Sequence, residues 1–94
     1  MAAYWIAHVH VTDDEAYARY AKLATAALAA HGGEFLARGG RYRQFEGTDR
    51  ARHVVVRFPS LEAAERCYLS DAYQEAVAIA AGASERDLVI VEGV

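Results

Sequence analysis

Cysteine occurs once, at Cys67, so the chain can close no disulfide on itself and offers no thiolate cluster for a structural metal site. Its place in a helical pattern suits a small buried apolar residue rather than a nucleophile. Proline also occurs once, at Pro59, which leaves glycine and short polar side chains to punctuate the chain. No apolar run approaches the roughly 20 residues that a membrane-spanning helix needs. The start of the sequence lacks a basic segment followed by an apolar stretch, so the expectation is a cytoplasmic protein without a membrane partner. Positive charge is in deficit as well. Ten Lys and Arg against 13 Asp and Glu give a formal net charge of −3, which argues against a general binder of nucleic-acid backbones. Metal and cofactor signatures are also missing: there is no closely spaced His pair on a helix, no GxxxxGK[ST] and no GxGxxG opening a helix.

What remains is a chain of 94 residues, 54% of them hydrophobic, with alanine a large part of that fraction. One domain spanning 1–94 is the expectation. A chain this short removes only about 60–70% of its unfolded surface from water, so self-association into a homodimer would hide further apolar area. Six of the ten basic residues fall between Arg38 and Arg57. Such a zone is either ordinary solvated charge or a greeting for an anionic ligand.

Tyr4 to Val11 alternates as a strand, with Trp5, Ala7, Val9 and Val11 on one face and Tyr4, Ile6, His8 and His10 on the other. Thr12, Asp13 and Asp14 cap a helix over Glu15 to Ala30, whose expected buried stripe is Ala16, Tyr20, Leu23, Ala27 and Leu28. Gly32 or Gly33 ends it, and Glu34 to Arg38 is a short strand bent by Gly39-Gly40. Arg41 to Glu46 reads as a continuation of that extended run, followed by a turn at Gly47–Arg50. Arg52 to Phe58 is the most β-like segment, and Ser60 caps a helix from Leu61. That helix breaks near Ser70. Asp71 and Gln74 form a capping box for a second helical stretch, Ala72 to about Ala80, and a polar link from Gly82 to Asp87 leads into a last strand, Leu88 to Glu92. The order predicts an α+β, ferredoxin-like βαββαβ domain: a four-stranded antiparallel sheet with helices on one face. RNA-recognition domains share that topology, but the strand Arg52–Phe58 has no glycine and only a terminal ring, so no nucleic-acid partner is expected.

His31-Gly32-Gly33, Leu36-Ala37-Arg38-Gly39-Gly40, Glu46-Gly47, Phe58-Pro59-Ser60, Tyr68-Leu69-Ser70 with Tyr73, and Val91-Glu92-Gly93 stand in an order that resembles the DUF1330 family. The resemblance covers nearly the whole chain and implies a dimeric α/β barrel, two protomers packed sheet to sheet around a space. It implies no particular chemistry, and related barrel families include monooxygenases, isomerases and plain binders. Members often carry an arginine where this chain has Ala80.

The candidate functional residues follow from the strand faces. His8 and His10 project from the face opposite the valines, where His53, Arg57 and Glu92 are expected to join them and line the dimer space. Imidazoles beside a carboxylate make His10 and Glu92 candidates for proton transfer; a hydrated structural interface is the plainer use. Arg38 either pairs with Glu46 or the partner subunit, or holds a ligand carboxylate through its fork. His31 suits the negative end of its helix and is a catalytic candidate if its loop borders the cavity. Tyr68 and Tyr73 either pack the core or orient a small polar ligand. The resulting expectation is a homodimer binding a small, anionic molecule at its sheet face, with no metal and no cofactor. A cofactor-independent monooxygenase- or isomerase-like enzyme and a structural dimeric module are the alternatives.

Overall fold

Alternation along β1 (Ala3–Val11) sorts its side chains cleanly: Ala3, Trp5, Ala7 and Val9 are buried, while His8 and His10 are exposed. The computed structural model describes Met1 to Val94 and continues with α1 (Asp14–Ala30), β2 (Glu34–Arg38), β3 (Arg52–Phe58), α2 (Leu61–Leu69), α3 (Asp71–Ala83) and β4 (Ser84–Glu92). The strands form one antiparallel sheet in the order β2-β3-β1-β4, so the expected α+β, ferredoxin-like fold is what the chain adopts. No helix is long and apolar enough to cross a membrane.

Register decides which side chains share a face. Trp5 lies opposite Val56 and Ile90, and Ala7 opposite Val54 and Leu88; these face the helices. Ile6 lies opposite Val55 and Val89, and His8 opposite His53 and Asp87; these face away from them. Trp5 anchors the covered face, 5.7 Å from the Phe58 ring and edge-on to Tyr73 at 4.9 Å. Nine of the 18 buried residues are alanine, which lets the helices lie close to the sheet.

The helix ends follow local chemistry. The Asp13 carboxylate accepts from the Ala16 N–H at 3.1 Å and starts α1. At the other end Gly33 N–H reaches Leu28 O at 2.8 Å and Gly32 N–H reaches Ala29 O at 3.1 Å, with Gly32 at φ +82°. Gly32 therefore takes the left-handed position of a Schellman cap.

Four expectations are corrected. In α1 the inward residues are Tyr17, Tyr20, Ala24, Ala27 and Leu28, whereas Leu23 is 37% exposed; two tyrosine rings, not a leucine, cover the sheet there. Arg41 to Glu46 forms no strand: β3 begins at Arg52, Gly39 turns the chain away at φ +65°, and residues beyond it find no strand to pair with. The cap of α3 is Ser70, not Asp71. Its Oγ accepts from Tyr73 N–H at 3.2 Å while donating to Cys67 O at 2.7 Å, so one hydroxyl ends α2 and starts α3. Finally, Gly82 lies inside α3, and β4 begins immediately at Ser84. The polar run Ser84–Asp87 is strand because its alternate side chains have separate partners: Arg86 inward, Glu85 and Asp87 outward against Arg50.

Candidate functional site

Val9 carries an arginine on either side. Its partner on β3 is Arg52 and its partner on β4 is Arg86, so two guanidinium groups stand on the helix-covered face, flanking one buried valine. Arg38, opposite Val54 on β2, stands on that face too. Each cation lies over a ring: Arg38 4.5 Å from the centre of Phe35, Arg52 5.6 Å from Tyr17 and Arg86 4.7 Å from Tyr20. None has a carboxylate partner. The ion pairs of the chain belong to Arg50, with Glu85 and Asp87 on the opposite face. The Nε groups of Arg52 and Arg86 are buried without a hydrogen-bond acceptor.

These arginines border a single cleft between α1 and the sheet, walled by Trp5, Tyr17, Tyr20, Leu28, Phe35 and Val54 among others. The cleft is a narrow slot with a cavity volume of about 30 Å³. No carboxylate, imidazole or carboxamide side chain lines it. Gly39 helps shape the rim: a Cβ there would lie 2.6 Å from Arg52 Nη1, so glycine leaves the room that the guanidinium occupies.

At the inner wall of the slot, the hydroxyl of the lining residue Tyr20 shares a 2.7 Å hydrogen bond with that of Tyr73 behind it, and Arg86 Nη2 donates to both, at 2.9 and 3.1 Å. Burial raises the pKa of both phenols despite the neighbouring cation, so they stay neutral. Burial works against the charge of Arg86, but Tyr20 and Tyr73 outweigh it and the net shift is upward. The group remains a cation.

The other sequence-named residues divide between the two faces. His8 and His53 meet on the open face with their Nδ1 atoms 2.7 Å apart, and the Tyr42 ring lies tilted against His53 with centroids 4.6 Å apart. His10 is exposed opposite Glu85, and Arg57 is exposed between Tyr4 and Glu34. Glu92 does not join them: it pairs with Ala3, which puts it on the helix side at the sheet's end. His31 caps α1, its Nδ1 2.9 Å from Ala27 O, and lines no cavity. Arg38 forms no salt bridge with Glu46 because the loop carries Glu46 toward His8, away from the slot. Tyr73 is fully buried and Tyr68 packs against both it and Trp5. No three His, Cys, Asp or Glu side chains are placed to share a metal ion.

Residues 2–94 match the family described as Domain of unknown function (DUF1330). The chain belongs to that family. No curated protein matches its sequence. Among solved structures, a protein of unknown function from Rhodopseudomonas palustris superposes with a TM-score of 0.82 at 18% identity, covering 99% of this chain and 82% of that one. SnoaB, a cofactor-independent oxygenase from Streptomyces nogalater, gives a TM-score of 0.71 at 10% identity, over 99% and 93% of the two chains. A dimeric protein of ferredoxin-like fold and unknown function from Bacteroides fragilis gives 0.57 at 17% identity, over 98% and 96%. At these identities the likeness is one of fold.

Within this DUF1330 chain, Ala80 is buried and lines a second hollow together with Arg86, Tyr68, Val77 and Leu88. Position 80 thus brings no charge, and the guanidinium in that neighbourhood comes from β4. Arg52, Arg86, Tyr17 and Tyr20 are the slot residues that the sequence did not single out as a site. Arg86 had one usable signal. Counting back by twos from Ile90 and Leu88 puts an arginine on an apolar strand face, which demands a buried partner.

Proposed function

We propose that this DUF1330 protein binds a small anion with an apolar body at the slot between α1 and the sheet, which widens from its closed volume of about 30 Å³ as the ligand enters. The observation that carries the reading is three arginines, Arg38, Arg52 and Arg86, around one aromatic-walled slot with no acid among its lining side chains. Such a site leaves cations and ring faces for a ligand carboxylate or phenolate to complete. In this reading Arg38 keeps the ligand-binding role expected of it, and Tyr73 supports the site from behind.

The open sheet face has a different use. Ile6, Val55, Val89 and Val91 form an apolar band there, with Val89 54% and Val91 48% exposed. A second copy of the chain covers that band, and His8, His10, His53 and Arg57 then belong to the homodimer interface.

Thermal-shift titration with benzoate and 4-hydroxybenzoate tests the binding site. Stabilisation that is lost in Arg38→Gln and Arg52→Gln supports the slot. Stabilisation lost instead in His8→Ala or Arg57→Ala moves the ligand to the open face and overturns it. Product analysis after incubation with a bound anion separates an enzyme from a binding module.

A further inference from the structure

We infer that Tyr20 is the specificity-determining hydrogen-bond donor of the slot, and that the ligand carries a carbonyl or phenolic oxygen in addition to its carboxylate. This rests on the anion-binding reading above. The argument is a count of protons. Two hydroxyls share one hydrogen bond, so one of the two protons lies in it and the other needs an acceptor elsewhere.

Arg86 Nη2 donates to both oxygens and can accept from neither. If Tyr20 donated to Tyr73, the Tyr73 proton would point into the core. Tyr73 is 0% exposed, lines no cavity and has no other hydroxyl contact. A buried donor would be left unmet, at the cost of a lost hydrogen bond. In the reverse order the unmet proton belongs to Tyr20, which is 6% exposed and lines the slot instead of being sealed in the core. Tyr73 donates to Tyr20, the Tyr20 oxygen accepts from both Tyr73 and Arg86, and the Tyr20 proton is left for the slot, which Tyr20 lines.

Accepting two hydrogen bonds polarises the Tyr20 hydroxyl and makes it a stronger donor. Burial keeps it protonated, so it donates rather than repels an oxygen lone pair. Thr25, also in the lining, spends its hydroxyl proton on Ala21 O at 2.7 Å. The slot therefore presents guanidinium forks for a carboxylate and two tyrosines, Tyr17 and Tyr20, of which Tyr20 alone is polarised by bonds to its oxygen and so is the stronger donor to a second oxygen. The ligand class is a planar oxo- or hydroxy-substituted aromatic or enolic acid.

Calorimetric titration with benzoate and with 3- and 4-formylbenzoate tests the assignment, together with the infrared carbonyl stretch of the bound aldehyde. One formyl isomer should bind about tenfold tighter than benzoate, with its stretch shifted to lower frequency. In Tyr20→Phe that affinity ratio should fall to near one and the spectral shift should vanish. Tyr73→Phe, which keeps the Tyr20 proton but removes one donor to its oxygen, should give an intermediate ratio. If benzoate binds the wild type but neither aldehyde gains affinity or shifts, the Tyr20 assignment fails and the anion site stands. If the advantage persists in Tyr20→Phe, the assignment fails equally. If no probe binds at all, the anion site itself falls. Tyr17→Phe, which removes the other hydroxyl of the lining, should leave both the ratio and the shift unchanged, and their loss there would overturn the assignment.

Discussion

Tyr20 on α1 and Tyr73 on α3, 53 positions apart in the chain, hold their hydroxyl oxygens 2.7 Å from each other in the core. The bond ties the two helices together beneath the slot. Removing either hydroxyl leaves its partner and Arg86 short of a contact. Tyr20→Phe and Tyr73→Phe should each lower stability by about 1–2 kcal/mol. The double variant should cost less than the sum, because no orphaned hydroxyl remains. Urea denaturation of the four proteins measures that coupling.

The arginines of the slot should divide by partner. Arg38 and Arg52 have no acid to lose, so Arg38→Gln and Arg52→Gln should leave the unliganded protein within about 0.5 kcal/mol of wild type. Arg86→Met removes two hydrogen bonds from buried hydroxyls and should cost about 2 kcal/mol. Denaturant midpoints without ligand make the comparison.

Glycines near the end of α1 and in α3 should respond with opposite signs. A Cβ at Gly33 would lie 2.8 Å from Leu28 O and 3.1 Å from both Phe58 and Val56, so Gly33→Ala should cost about 2 kcal/mol. Gly82 has nothing within 4 Å and a helical setting, so Gly82→Ala should add about 0.5–1 kcal/mol. Thermal melts give both signs.

Alkaline conditions should weaken the fold. Burial pushes the Cys67 thiol up from 9.0 to about 11, and it also raises the Tyr20 and Tyr73 phenols above 10.0. Groups raised in this way contribute stability that is complete below their unfolded values and lost as pH climbs through the folded ones. Urea midpoints should hold steady up to about pH 9 and then fall, with the thiol part going between 9.0 and about 11. At pH 8 Cys67 should resist a thiol reagent until denaturant is added.

The band on the open face gives the last prediction. Val89→Asp places a charge in the middle of it, away from the slot. Light scattering should then fall from twice the 10.3 kDa chain mass to one, while the anion-dependent thermal shift persists in the monomer. A wild-type chain that scatters as a monomer would remove the dimer from the proposal.

The element order, the two faces of β1, the helix stop at Gly32 and the family were legible in the sequence, because each rests on local periodicity or on backbone freedom at one residue. Alternation in Tyr4–Val11 needs no distant partner to be recognised. The site was not legible in that way. Arg38 could be named, but whether it faced the helices or the open side depended on a register shift between Phe35 and Ala37 that pairs it with Val54. His8 and His10 could be placed together on one face, but Glu92 went to the other, because its partner is Ala3. Arg52 and Arg86 become neighbours only when β3 and β4 pair on either side of Val9, and the Tyr20–Tyr73 bond exists only once α1 packs against α3. Local chemistry thus determined what the elements are and where they stop. Strand register and helix packing bring distant charges and hydroxyls onto one buried face, and so decided which arginines and tyrosines meet.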